Sequence, residues 1–207
     1  MNVETSYEQA NQLADFIASK HFSPEEKRIP YYHMGATITD TVLQSGLNYK
    51  KIVYPRVQKL IYKYPYCRTT SDFIILMQTI PTERIIGVNN RRKISLVQEI
   101  SWLLFENNIE TENALASWLG TNKNESQLTS LKGFGPKSLD YMKMLSGYPS
   151  IAIDRHLFHF LKLAGIEINT YQEASKLYKL TAEILRMGEY ELDRQIWKYM
   201  SMTASDC

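Results

Sequence analysis

Lys137 and, seventeen positions on, Asp154 are the residues of this 207-residue chain whose types and settings suit covalent chemistry. Lys137 closes the run Leu131-Lys132-Gly133-Phe134-Gly135-Pro136-Lys137. Glycines two apart permit a tight reversal with positive φ. Pro136 suits the first position of a helix, where its missing N–H costs nothing. The run therefore predicts a short turn from Gly133 to Gly135 that feeds a helix, with Lys137 at the helix's second position. The free N–H groups of a helix start attract anions, and a nucleic-acid phosphate is a natural ligand. The same field disfavours an ammonium and so favours the neutral amine, the nucleophilic form of lysine. Each half also has a plainer reading. A Gly-x-Gly-Pro between helices is often only a turn, and a lysine beside a turn is ordinarily solvated surface.

Asp154 ends the run Tyr148-Pro149-Ser150-Ile151-Ala152-Ile153 and precedes Arg155 and His156. The apolar Ile151-Ala152-Ile153 stretch reads as buried, delivering Asp154 to the start of a new helix. Aspartate is a favoured N-cap, and capping is expected whatever else the residue does. A cap also fixes the carboxylate's position, which a catalytic group requires.

The elements that must position these two residues are helices. Apolar residues recur at helical spacing throughout, and strand signals are nearly absent. A first stripe (Leu13, Phe16, Ile17) ends before Ser23-Pro24, and Pro30 precedes a segment near residues 34–46. A third runs from Tyr49 to Tyr64 and stops at Pro65; a fourth, capped by Thr70 or Ser71, is closed by Pro81. Residues 93–106 follow, with Ile94, Val97, Ile100 and Leu103 at spacings of three. Thr111 caps a segment reaching Leu119, ended by Gly120. Short helices flank Gly133 and Gly135, and the last two run over about 171–187 and 190–202. Ten or eleven helices are expected in an all-α chain.

Bulk properties narrow the class. Hydrophobic residues make up 44% and charged residues 22%, ordinary for a globular protein with a real core. The net charge of +2 is too small to argue for a polyanion without a charged patch. Cys67 and Cys207 cannot supply a disulfide framework or a four-thiolate metal site. The N-terminus lacks the basic and apolar regions of a secretory signal, and no apolar run reaches the ~18 residues of a membrane span. The expected compartment is the cytoplasm, at the nucleoid in a prokaryote, and the expected state a monomer.

Taken together, Leu131-Lys-Gly133-Phe-Gly135-Pro-Lys137 and Ile-Ala-Ile-Asp154-Arg-His156 resemble the signature of the helix-hairpin-helix (HhH-GPD) DNA glycosylase superfamily. That superfamily includes endonuclease III and the 8-oxoguanine glycosylases. Its signature is Leu-x-Gly-x-Gly-x-Lys followed by an apolar run ending in Asp-x-His. The resemblance implies two helical lobes with the active site in the cleft between them. Residues 31–147 would form a six-helix domain carrying the hairpin, and residues 1–30 with 148–207 the second lobe. It implies base excision by Lys137 through a Schiff base, with Asp154 as its carboxylate partner, then nicking of the strand. Members that only excise lack the lysine. The implied substrate is duplex DNA with a damaged base or an abasic site, and neither cofactor nor metal is needed. The iron–sulfur loop of endonuclease III is absent.

More loosely, residues 39–48 resemble the helix end and loop whose polar residue fills the gap left by the flipped base, which assigns that part to Gln44 or Asn48. Glu191-Leu-Asp-Arg-Gln-Ile196-Trp197 is similar to the last helix of small archaeal 8-oxoguanine glycosylases, and this favours oxidised guanine. Those proteins end in a lysine that helps to hold the base; this chain ends Thr203-Ala-Ser-Asp-Cys207. Gly133, Gly135 and His156 are expected at DNA phosphates. Arg91, Arg92 and Lys93, a compact basic run at a helix start, suit phosphates too, although a solvated helix end is the commoner explanation. Lys132 and Lys143 flank the hairpin helix as further backbone contacts, His159 belongs to core or surface, and Trp102, Trp118 and Trp197 read as core. The alternative is a non-catalytic hairpin module that only grips DNA; it explains the glycines but not Lys137 together with Asp154.

Overall fold

The computed structural model describes residues 3–22 and 29–203. The Ser23-Pro24 break and the C-terminal residues 204–207 lie outside them. The chain is all-α, with no strand among the described residues. In chain order the helices are α1 (Val3–Ala18), α2 (Met34–Leu43), a π-helical turn (Tyr49–Val53), α3 (Tyr54–Lys63), α4 (Thr70–Thr79), α5 (Thr82–Ile86), α6 (Arg91–Glu106), α7 (Glu112–Trp118), α8 (Asn122–Thr129), α9 (Pro136–Ser146), α10 (Arg155–Leu163), α11 (Tyr171–Leu185) and α12 (Glu189–Thr203). Twelve α-helices thus stand among the described residues where ten or eleven were expected. The extra ones are short: Pro81 both ends α4 and opens the five-residue α5.

The chain divides into two compact units, one of Met1–Arg28 with Pro149–Cys207, the other of Ile29–Tyr148. The second holds eight α-helices, α2 to α9, rather than six. Its core gathers Ile38, Leu43, Leu60, Phe73, Ile86, Ile100, Leu104 and Leu115 around α2 and α6. The first has its own core, in which Leu13 of α1 and Phe160 of α10 meet Leu177 and Tyr178 of α11 and Ile196 of α12.

Local chemistry explains several departures from the sequence reading. The segment from Tyr49 is not one helix, because Pro55 can give no N–H to the turn before it. The backbone instead closes i→i−5 bonds, Val53 N–H to Asn48 and Tyr54 N–H to Tyr49, before α3 begins. The cap of α4 is Thr69, reciprocated by Asp72 in a capping box, and not Thr70 or Ser71. The buried stripe of α6 runs through Leu96, Val97, Ile100 and Leu104. That stripe turns Trp102 outward, 43% exposed, so it is not a core residue. Trp118 and Trp197 are half-buried.

His33 caps α2 from a buried position. Its Nδ1 accepts the Ala36 N–H at 3.0 Å, so Nε2 carries the proton and donates to the Tyr64 carbonyl at 2.9 Å. Burial holds its pKa below 6.5, against the opposing pull of the Tyr64 carbonyl, Glu112 and Asp72. The folded state therefore binds fewer protons at this site than the unfolded chain as pH falls through 6.5. The stability His33 provides is complete above that pH and lost below it. His33→Asn keeps a capping oxygen but cannot titrate. The melting-temperature advantage of wild type over His33→Asn is expected to shrink between pH 7 and pH 5. An advantage that stays constant over that range would place the titration elsewhere.

Candidate functional site

In the Ile29–Tyr148 unit, α8 and α9 are joined by residues 130–135. Gly133 there has φ +90°, a conformation that disfavours any side chain. Gly135 is different. It is the N-cap of α9 with an extended backbone, φ −97° and ψ 180°, and a Cβ built on it would meet nothing within 4 Å. Only Gly133 supplies the positive φ that the spacing predicts for the turn. Pro136 takes the first helical position, and no acidic residue stands in the first turn of α9. Lys137 follows, half-buried, with no hydrogen-bond or ion-pair partner among the described residues.

Gly133→Ala is accordingly expected to cost about 1–2 kcal/mol of stability through its backbone alone, read as a lowered melting temperature. Gly135→Ala should leave melting unchanged. If a ligand backbone approaches closely there, the same substitution weakens duplex binding several-fold, and unchanged binding would show that Gly135 faces open solvent in the complex too.

The structure gathers several other sequence candidates in this unit. Asn90 caps α6 by accepting the Lys93 N–H at 3.1 Å, and Arg91, Arg92 and Lys93 fill its first turn, which holds no acid. The Arg92 stem lies beside Gly133, its Cδ 3.7 Å from where a Cβ would stand. Lys93 turns inward. Its ammonium donates to the carbonyls of Val42 at 2.8 Å and Ser45 at 2.7 Å, and burial lowers its pKa. Its role is to close the C-terminal end of α2 and anchor residues 44–48, leaving Arg91 and Arg92 as the exposed cations of the run. Within that loop Gln44 is the half-buried C-cap of α2. Asn48 is exposed, but its Oδ1 is engaged by the Lys51 N–H at 2.8 Å, capping the π-helical turn.

Beneath this surface lies a group that sequence reasoning did not single out. Asp40 of α2, wholly buried, accepts hydrogen bonds from the hydroxyls of Tyr31 at 2.7 Å, Tyr141 at 3.2 Å and Tyr49 at 3.4 Å. Tyr141 stands four residues after Lys137, one turn further along the same side of α9. That i, i+4 spacing was the available signal; the convergence on Asp40 spans about a hundred residues of chain and has none. Lys143, expected at the DNA backbone, does not reach the surface. It is buried and paired with Glu125 at 2.7 Å and Asp140 at 3.9 Å. Lys132 is exposed.

In the other unit, Asp154 caps α10. Its Oδ1 accepts the N–H groups of His156 at 2.8 Å and Leu157 at 3.2 Å. Oδ2 has no hydrogen-bond partner among the described residues, so one carboxylate oxygen is fixed in place and available. The run before it is buried, as its apolar character predicts. Two more residues hold this run and the start of α10. Asp193 of α12 accepts the Ala152 N–H at 3.0 Å, and the Tyr178 hydroxyl donates to the Leu157 carbonyl at 2.8 Å. Burial and the charges of Asp193 and Asp154 raise the Tyr178 pKa, so it stays a neutral donor. The half-buried His156 ring meets Trp197 edge-on, 6.3 Å between centroids, and the Arg194 guanidinium lies 5.6 Å from the same indole. His159 is exposed.

Among the described residues no group of three or more histidine, cysteine, aspartate or glutamate side chains is placed to hold a metal. Cys67 is buried, and burial with the charge of Asp72 pushes its thiol up to about 11, which makes it an inert core residue. No helix among the described residues is long and apolar enough to cross a membrane.

A family model covers residues 18–201, and its description is "Domain of unknown function (DUF8548)". The chain belongs to this family. No curated protein matches the chain. The matched span covers all of the Ile29–Tyr148 unit and most of the other, and includes Lys137, Asp154 and every other candidate above.

Proposed function

We propose that this member of the DUF8548 family is a DNA repair glycosylase with strand-nicking lyase activity. The observation that carries the reading is Lys137: a half-buried lysine in the first turn of a helix, without a counter-ion among the described residues, behind a glycine turn of the kind that approaches phosphates. A cation at a helix start opposes the dipole, and two helices of one unit, α6 and α9, begin with cations and no acid. Such starts suit a polyanion. The resemblance to the helix-hairpin-helix glycosylases supports the same reading, and the singly engaged carboxylate of Asp154 suits the partner's role.

The chemistry needs a damaged base flipped out of the stack, at a cost of a few kcal/mol. The neutral amine of Lys137 adds to C1′ of the sugar while the C1′–base bond breaks; the base leaves with that bond's electron pair and takes a proton from solvent. Asp154 stabilises positive charge developing on the sugar and takes a proton from the lysine nitrogen. Ring opening, with the proton held by Asp154 passing to O4′, gives the imine; removal of a C2′ proton then expels the 3′ phosphate and cuts the strand, and water hydrolyses the imine to free Lys137.

Borohydride, which reduces the imine to a stable amine, tests this directly. Duplexes with a single 8-oxoguanine, thymine glycol, uracil or abasic site are incubated with protein and borohydride. The expected result is a covalent adduct at the abasic site and at one lesion, which names the base; oxidised guanine is the favoured one. Binding by gel shift with no adduct on any duplex would replace the enzyme by a module that only grips DNA.

A further inference from the structure

The Ile29–Tyr148 unit carries a second surface with a different chemistry. Along α4 and α6, which pack together, runs an open groove of about 740 Å³. Ile74 and Met77 of α4, Leu103 of α6 and Leu131 make its apolar floor, and Trp102 forms a wall. Trp102 and Phe105 meet edge to face at 5.7 Å, and Phe105 is 41% exposed. Two large aromatic rings in solvent beside an apolar floor mark an interaction surface and not a stray exposed residue. Tryptophan in such a setting is a frequent anchor of binding energy.

Charge decides what fits. Glu99 and Glu106 rim the groove, both exposed, neither with an ion pair among the described residues, and no lysine, arginine or histidine lines it. The helix is polarised: Arg91, Arg92 and Lys93 at its start, carboxylates and aromatics further on. A phosphate backbone attracted to the first turn of α6 is repelled by the rest. We propose that this groove is a docking site for a basic amphipathic helix of a partner protein. Its apolar side chains would lie on the floor against Trp102, with its lysines or arginines over Glu99 and Glu106. The α6 residues that line the groove, Ser95 to Glu106, span roughly 16 Å, enough for anchors at positions i, i+3 or i+4, and i+7. This inference is independent of the glycosylase reading.

The test uses the full chain, labelled with ¹⁵N, and two synthetic helical peptides about four turns long. One has a leucine face and a lysine face; the other has glutamate in place of lysine. The chain has three tryptophans, so their indole N–H signals are separately readable. The leucine–lysine peptide is expected to shift the Trp102 signal and the leucine–glutamate peptide to leave it. Trp102→Ala, and Glu99→Gln combined with Glu106→Gln, should each weaken the peptide at least tenfold without moving the melting temperature, because all three side chains are exposed. The proposal is overturned if no Trp102 shift occurs, if the acidic peptide shifts it equally, or if either variant keeps full affinity. It is overturned equally if sedimentation shows self-association that Trp102→Ala abolishes, since a second copy would then be the occupant.

Discussion

Lys137→Gln is expected to bind an abasic duplex about as tightly as wild type and to form no borohydride-stable adduct with it. Glutamine keeps the length of most of the stem and a polar end, but its amide nitrogen has no basic lone pair to add to C1′. Loss of a covalent nucleophile removes the whole lysine route, so adduct formation should fall below detection and not merely slow. In the proposed function affinity rests on other groups: the backbone of residues 130–135, the N–H groups at the start of α9, and the exposed Arg91 and Arg92. One fewer cation near phosphates weakens binding only modestly and lowers its salt dependence by about one counterion. The fold predicts a third readout. A cation at a helix start costs about 0.3–1 kcal/mol, and Lys137 has no partner among the described residues to offset that. The variant should melt at the wild-type temperature or slightly above. A stabilised protein that has lost its chemistry is the mark of a residue kept for reaction. A variant that still traps would move the nucleophile to another amine and overturn the assignment.

What could be read from the sequence divides by range. Helix starts set by adjacent residues were legible: Thr111 caps α7, Asp154 caps α10 and Pro136 opens α9. So were the turn at Gly133 and the buried run before Asp154. Where two local signals compete, the reading slipped. Pro55 split a continuous apolar pattern into a π-helical turn and α3, and Thr69 took the cap of α4 because Asp72 lies three residues on to answer it. Side chains whose roles depend on distant segments could not be read at all. Lys93 belongs to a basic run by sequence, yet its ammonium closes α2, some fifty residues away. Lys143 looks like a surface cation and is buried against Glu125. Three tyrosines from separate elements meet on Asp40. Trp102 was misplaced for a simpler reason: the apolar stripe of α6 ends on Leu104 and not on Leu103, which turns Trp102 away from the core.

Asp154→Asn and Asp154→Ala separate the capping role that Asp154 fills from the catalytic role proposed for it. In the folded chain Oδ1 holds the first N–H groups of α10, and this demand is met by any good cap. Asparagine meets it and removes the charge. Alanine removes both. Asp154→Asn is therefore expected to melt close to wild type, whereas Asp154→Ala loses about 1 kcal/mol. Both should lose the chemical step together. Electrostatic stabilisation of a developing charge contributes on the order of 10²–10³ in rate, and base catalysis on the lysine nitrogen overlaps with it, so single-turnover base excision should fall at least about a hundredfold in each variant. The lyase step on a pre-formed abasic site begins from an open-chain aldehyde and needs no base expelled, so it should suffer less, and trapping there should persist at a reduced rate. That split is what a capping role cannot imitate. A helix cap that merely holds α10 predicts activity that follows melting temperature, with asparagine nearly as active as aspartate. Equal excision rates for wild type and Asp154→Asn would leave Asp154 a structural residue, and the carboxylate partner of Lys137 would have to be sought elsewhere.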